Sequence, residues 1–470
     1  MKSLLLRFIK DIRFWILFFF LLRLYCITNP PLEIAHNWRQ TTGYMVARNF
    51  YEIDSNIFYP RLDMAGDKTG ITGTEFSVLN YLIYLLSLVF GFHDWFGRLI
   101  NLIVSSIGIF YFYKFIKLKF GERLAFLSAY LLLISDWFIY SRKGMPDTFS
   151  TALVIMSLYF AFRYFENYKW KNIFLYFLFA MLGVLSKIPA AYLLVLLWFP
   201  LNNKEIPIRY RLYVIAATGL MFIPVVWWYF YWVPYLTQHF GFSHYYMGVS
   251  VQLGLRQLMA DLPAAFEKFY YDALKFMGFA AFLGGVYMAW KRRDKGMQKI
   301  FLLTAGAFFV FMAKAGGNFC VHSYYVIPFV PVMCFFAAFL LNTFKKEWVL
   351  VLAIVALTVE NIANQQHDFR IKESEKYKLT LEPLADRISK RNDLIAINCD
   401  PNPQQIYLTH RKGWNITTKE AQDVQFMDSL RLRQCKFLFI NKHELKGDEV
   451  FPFEQVVYNG DDFVIYGLSR

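Results

Sequence analysis

Four polar stretches in an otherwise apolar chain hold the residues able to do chemistry. The longest, residues 29–75, reads NPPLEIAHNWRQTTGYMVARNFYEIDSNIFYPRLDMAGDKTGITGTE and gathers Glu33, His36, Arg39, Arg48, Asp63, Asp67, Lys68 and Glu75. The second, SRKGMPDTFS, supplies Arg142, Lys143 and Asp147; the third, GVLSKIPAAY, supplies Lys187; the fourth, AKAGGNFCVHSYYVIPFVP, supplies Lys314, His322, Tyr324 and Tyr325. Carboxylates or an imidazole beside fixed cations can take a proton from a hydroxyl while an anion is held in place. A phosphorylated lipid headgroup is the anion that such a cluster at a membrane face would meet.

Each residue also has a plain reading. HNWRQTTGYMVARNF has helical spacing, with Trp38, Met45 and Phe50 on its apolar side, so the charges around it suit an amphipathic interfacial helix as well. Asp147 follows Pro146 and can simply open a helix as an acid in its first turn. Lys187 can snorkel, although an ionisable side chain at membrane depth is costly and marks a candidate site. His322 alone says little and gains weight only by sharing a face with the others.

The elements that must position these residues are membrane helices. The chain has 470 residues, 57% of them hydrophobic and 20% aromatic, more apolar surface than a soluble domain of this length buries. Apolar segments suited to spanning occur near 13–29, 98–116, 124–140, 148–165, 172–186, 188–201, 212–233, 272–290, 300–315, 321–343 and 347–363, about eleven in all. Phe14–Ile27 lacks a small-residue cleavage site and reads as a retained first span rather than a signal peptide.

Positive charge orders these segments. Clusters at Lys2/Arg7/Lys10/Arg13, Lys114/Lys117/Lys119/Arg123, Arg163/Lys169/Lys171, Lys204/Arg209/Arg211, Lys291/Arg292/Arg293/Lys295/Lys299 and Lys345/Lys346 mark the cytoplasmic side. The pattern holds only if Phe76–Phe90 does not cross, so that stretch is expected to lie in, or re-enter, the outer interface. The polar stretches and the second long loop, about 235–271, then face outward. The net charge of +15 belongs to this topology rather than to nucleic-acid binding.

From about Gln365 the composition turns soluble. LIAINC (394–399), KFLFI (436–440) and FVIYG (463–467) predict buried strands and LEPLADRISKR a helix, together a small α/β domain over 366–470 after a transmembrane module over 1–363. Cys399 and Cys435 fall in this domain, where a disulfide and two free thiols are both open. No phosphate-loop, dinucleotide, HExxH or CxxC pattern occurs, and no internal repeat of the transporter kind.

The loop order resembles that of the GT-C superfamily of polytopic glycosyltransferases, in particular bacterial relatives of protein O-mannosyltransferases and of the lipid A aminoarabinose transferase. The resemblance covers about residues 10–345. It rests on the first loop ending in a helix, then FGFHDWFGRLIN, FGERLAFLSAYLLLISDWFIYSRKGMPDTFS, GVLSKIPA and HSYYVIPFVP, in that order. It implies a membrane all-α bundle with juxtamembrane helices on the outer face. It also implies inverting transfer of a sugar from a polyprenyl-phosphate donor to a protein, lipid or glycan acceptor outside the inner membrane. Arg39, Arg142 and Lys187, with Tyr324, Tyr325 and His322, are the expected contacts to the lipid phosphate. Where relatives carry an acidic pair before the arginine, this chain reads His36-Asn37-Trp38-Arg39, and Glu75 replaces a lysine of the family. The base is thus expected at Glu75, ahead of Glu33, Asp63 and His36, with Asp147 orienting the acceptor. No cofactor follows from the sequence, and a divalent metal stays open. An oligosaccharyltransferase acting on protein, and a flippase or transporter of lipid-linked sugar, are the alternatives.

Overall fold

A computed structural model describes residues 11–447 and 449–468. Lys2, Arg7 and Lys10 of the first basic cluster lie outside the described residues. The chain forms two compact units. The helical unit comprises residues 1–27, 96–230 and 246–367; the mixed unit comprises 28–95, 231–245 and 368–470. The C-terminal segment from residue 368 shares its unit with the first long loop.

Six described helices are long and apolar enough to cross a bilayer: Trp95–Phe120, Pro146–Asn167, Ile208–Phe240, Lys295–Ala315, Ser323–Leu341 and Glu347–Phe369. Leu262–Tyr270 and Lys275–Lys291, bent by 92°, raise the number to seven if they form one span. The other expected spans coincide with shorter helices, so the count of about eleven is not met by length. Local backbone explains part of the difference. Trp170–Ser186 stops at Lys187, and Ile188–Leu197 continues as a 3₁₀ helix. At about 2 Å of rise per residue those ten residues still reach about 20 Å. Ile208–Val226 carries Pro224, and one turn of π-helix, Trp227–Trp232, follows it, as expected where a proline removes a donor. Val78–Phe90 is a 13-residue helix of the mixed unit, about 20 Å long and short of the roughly 30 Å apolar core.

In the helical unit the basic helix ends gather at one end. Lys119 lies 3.6 Å from Glu166, Arg123 3.1 Å from Glu347, and Lys119, Glu166, Asn203 and Asp294 line one cavity mouth. The helices pack closely through small residues. A Cβ on Gly108 would fall 2.4 Å from that of Ala152, so Trp95–Phe120 can approach Pro146–Asn167 only with glycine there.

The mixed unit contains a five-stranded sheet of β1 (Leu394–Asn398), β2 (Lys412–Ile416), β3 (Cys435–Asn441), β4 (Val456–Asn459) and β5 (Phe463–Gly467). Its order is β2-β1-β3-β5-β4, with β2, β1 and β3 parallel and β5 and β4 antiparallel. The three strands legible as apolar runs are β1, β3 and β5. β2, with Gly413 and Asn415, and β4, whose residues are all exposed, lack such a run. The helix Leu381–Ile388 forms as its spacing predicts. Cys399 and Cys435 are buried, unlinked thiols, and burial pushes Cys435 up to about 12.

The first loop docks on this sheet. Gly413 N donates to Asp63 O at 2.9 Å, and Gly66 N to Gly413 O at 2.7 Å. Gly66 sits at φ +62°, with the Trp414 indole where a Cβ would be, so both backbone and space require glycine.

Candidate functional site

The helical unit organises its site around one turn. Asn101, buried on Trp95–Phe120, donates to the carbonyls of Tyr140 (3.1 Å), Lys143 (2.7 Å) and Met145 (3.2 Å), and Thr148 Oγ1 donates back to Asn101 Oδ1 at 3.0 Å. One amide thereby fixes the whole SRKGMP turn. Pro146 then begins the next helix, and Asp147 stands in its first turn, where the helix dipole favours a negative charge.

Lys187 lies at the break between Trp170–Ser186 and the 3₁₀ helix, with extended backbone at φ −166°. Ser150, one turn along from Asp147, donates to Gly183 O (2.8 Å) and Lys187 O (3.1 Å) and holds that break against the Asp147 helix. The Lys187 ammonium donates to Asp147 Oδ1. Asp147 is 1% exposed, and its Oδ2 is buried with no hydrogen-bond partner.

Two rings lie over the cation of this pair. Lys187 Nζ lies 4.6 Å from the Tyr324 ring centre and 5.8 Å from that of Tyr325. Tyr324 stacks on His322 at 5.1 Å and on Tyr325 at 5.0 Å, and Tyr325 continues onto Phe311 at 5.7 Å. Tyr140 and Ser323 hydroxyls, 2.6 Å apart, tie the two turns together. Arg142 is fully buried; it donates to the carbonyls of Arg23 (3.1 Å) and Tyr25 (3.0 Å). Arg23, buried beside it, donates to Ser141 Oγ at 2.5 Å.

The mixed unit holds a second pair. Asn37–Glu52 forms a helix, as expected, and buries Met45 and Phe50. Trp38 does not join that side: it is 45% exposed, because the first turn of the helix lies beyond the stretch that is covered. Arg39 donates to Glu75, with the two side chains 26% and 14% exposed. Ahead of the helix, Ala35 and His36 both take left-handed backbone, φ 63° and 55°, a strained entry for residues other than glycine.

Arg48 follows Arg39 by nine residues, about 13 Å along the helix and on its opposite side. There Asp63 accepts from Arg48 Nη2 (2.8 Å) and Asn49 Nδ2 (2.8 Å), while Arg48 also donates to Tyr407 O (3.1 Å) and lies over the Tyr407 ring. Glu33 is buried in a bridge with Ile371 and accepts from Asn29 at 3.0 Å. The sequence candidates are therefore sorted. Asp147, Lys187, Tyr324, Tyr325 and His322 come together in the helical unit, with Arg142 on the same turn as Asp147. Arg39 and Glu75 pair in the mixed unit, while Asp63 and Glu33 are held in other parts of it.

The sequence reading passed over Asn101 and His244. Asn101 is polar in an apolar helix, which is a signal; His244, in the second long loop, has none. That loop is tied down by Lys68 onto Gly241 O and by Thr72 onto Phe242 O at 2.9 Å. His244 has surface open to solvent, yet the protein crowded round it, and then the Arg39 guanidinium, press its pKa down to about 4 against the pull of Glu75. Among the described residues no group of three His, Cys, Asp or Glu side chains is placed to hold a metal ion.

Comparison with known proteins gives this fold its likenesses. The family model for dolichyl-phosphate-mannose-protein mannosyltransferase matches residues 77–228. No curated protein matches the sequence. Among solved structures, ArnT from Cupriavidus metallidurans bound to undecaprenyl phosphate superposes with a TM-score of 0.61 at 13% identity, covering 96% of this chain and 98% of that one. The archaeal oligosaccharyltransferase AglB from Archaeoglobus fulgidus, in complex with an inhibitory peptide and a dolichol-phosphate, gives 0.53 at 12% identity, covering 91% and 69%. The chain therefore shares the fold of these membrane glycosyltransferases, the fold that its loop order implied, and its long apolar helices make it a multi-pass membrane protein.

Proposed function

We propose that the protein is an inverting glycosyltransferase that moves a sugar from a polyprenyl-phosphate donor to an acceptor hydroxyl on the outer side of the inner membrane. The observation that carries the reading is the Lys187–Asp147 pair, a buried cation under an aromatic stack with one carboxylate oxygen unpartnered. The gathering of basic helix ends at the other end of the same helices supports the orientation. The undecaprenyl phosphate in ArnT and the dolichol-phosphate in AglB support the donor class.

In this reading Lys187 stabilises a departing lipid phosphate, with Arg142 shaping the turn beside it, and Arg39 is given the same role by the loop resemblance alone. Each of these two cations already holds a carboxylate, so an arriving phosphate competes for the cation and releases the carboxylate. Asp147 is given the orientation of the acceptor, through Oδ2, and Glu75, from the sequence alone, the hydroxyl proton as the anomeric carbon is attacked from the opposite face. Asp63 and Glu33, already hydrogen-bonded within the mixed unit, are structural, and His36 shapes the entry to the Arg39 helix. No step is routed through a metal. The chemistry needs no nucleotide, since the lipid phosphate is the leaving group.

The test is turnover of a polyprenyl-phosphate sugar by the full chain in nanodiscs, with the anomeric configuration of the product read by NMR. Inversion with release of polyprenyl phosphate is expected. Movement of intact donor across the bilayer with no sugar transfer would make the protein a transporter instead.

A further inference from the structure

The helical unit contains a cavity of about 540 Å³ that the proposed reaction does not use. It begins at Ile155, two turns beyond Asp147 on the same helix, and runs to Glu166. Leu158, Leu193, Ile300 and Phe335 form much of its wall. Away from the mouth the one polar lining side chain is Thr304, whose hydroxyl already donates to Ile300 O at 2.7 Å. Nothing in the wall would recognise a sugar or a phosphate. The interior suits hydrocarbon alone.

The mouth is different. Lys119, Glu166, Asn203 and Asp294 surround it, at the end of the unit where the basic helix ends gather. Glu166 is engaged by Lys119 at 3.6 Å and by Arg163 at 2.8 Å, so cations crowd one side; Asp294 caps the helix Lys295–Ala315 through Met297 N at 3.1 Å. From Ile155 to Glu166 the wall is about 16 Å deep at 1.5 Å per residue. One leaflet of a bilayer has about 15 Å of hydrocarbon, half the roughly 30 Å core. An apolar shaft one leaflet deep, with charges at its open end, has the shape of a single lipid tail with its headgroup.

We propose that this cavity binds one acyl chain of a phospholipid drawn from the leaflet on the Lys/Arg-rich side, its headgroup resting at Lys119. The occupant is distinct from the polyprenyl donor. The shaft stops short of Asp147 and Lys187, neither of which lines it, and an isoprenoid carrier is longer than one leaflet.

The experiment uses the full chain in nanodiscs with phosphatidylethanolamine carrying a diazirine in one acyl chain, and labelled peptides are mapped after irradiation. Label is expected on 155–166 and 296–304, besides the lipid-facing Leu220 and Ile223, which are 58% and 62% exposed. Leu158→Trp, which fills the shaft, should lower the cavity label about tenfold and leave the label at 220–223 unchanged. If that variant fails to fold, the wild-type map decides. Label confined to 220–223 in the wild type would overturn the proposal. So would cavity label from a diazirine polyprenyl phosphate that exceeds label from the phospholipid.

Discussion

Three buried or nearly buried ion pairs in this protein look alike in sequence and differ in what they leave over. Asp63, in the mixed unit, has both oxygens engaged, one by Arg48 and one by Asn49, and Arg48 is engaged further by a carbonyl and a ring. Asp147, in the helical unit, meets Lys187 with one oxygen and leaves the other buried and unpartnered. Arg39 and Glu75 are the most exposed of the three, and a histidine shares their electrostatic field. A pair whose hydrogen-bonding capacity is used up holds structure together. A pair with capacity left over still has an acceptor to offer an incoming group.

The largest expected effect tests the saturated pair. Asp63→Asn leaves Arg48 buried without its counter-charge, which should destabilise the mixed unit by about 3 kcal/mol, the usual scale for a broken buried pair. Thermal unfolding followed through intrinsic fluorescence would read it. The rate per folded molecule should stay near wild type. A folded Asp63→Asn protein with normal stability and lost turnover would turn the comparison around and make Asp63 the base.

Next comes the proton. Glu75→Gln keeps shape and removes basicity, so turnover should fall by about 100-fold while donor binding survives. Asp147→Asn, Glu33→Gln and His36→Asn, assayed beside it, separate the roles. If His36→Asn alone shows that pattern, the imidazole at the family's acidic position is the base and Glu75 only orients Arg39.

The cations give a smaller effect and test whether Lys187 and Arg39 both act in turnover. Lys187→Ala and Arg39→Ala should each lower kcat/KM about tenfold, near 1.4 kcal/mol, through weaker stabilisation of the lipid phosphate. Residues that act on one leaving group are not additive, so the double variant should lose less than about 100-fold. Strict additivity would assign the pairs to separate tasks, and normal turnover in both single variants would remove the phosphate role.

The sequence carried the fold class further than it carried the site. The alternation of basic clusters and apolar runs prescribes a bundle with one charged end, and β1, β3 and β5 read directly as apolar runs. Span lengths were not legible, because the 3₁₀ stretch after Lys187 and the π-turn after Pro224 stretch or bend helices in ways composition does not encode. Candidate residues were legible as types and not as partners. Nothing in PRLDMAGDK shows that Asp63 will be taken by Arg48, fifteen residues back, and docked on β2 some 350 residues on. Nor does anything local mark His244, whose crowded setting also holds Arg39 and Glu75 from the distant first loop.

The smallest expected effect uses that histidine as a reporter on the Arg39–Glu75 pair. With its pKa pressed to about 4, His244 stays neutral across about pH 5 to 8 in the folded protein. In the unfolded chain it titrates near its ordinary 6.5. The unfolded state therefore binds the extra proton first, and His244 withdraws stability as pH falls from about 6.5 towards 4, not as pH rises. The protein crowded round the ring is the largest cause of the depression and neither side chain can abolish it, but the two charges act in opposite directions. Arg39→Gln removes the cation and should raise the His244 pKa; Glu75→Gln removes the anion and should lower it further. Ring-carbon NMR on a chain in which His244 is the assigned signal would follow both. A wild-type His244 that titrates near 6.5, or that moves the same way in both variants, would mean that Arg39 and Glu75 do not govern its charge. The pair would then be read as an isolated surface contact rather than as the charged centre of its unit.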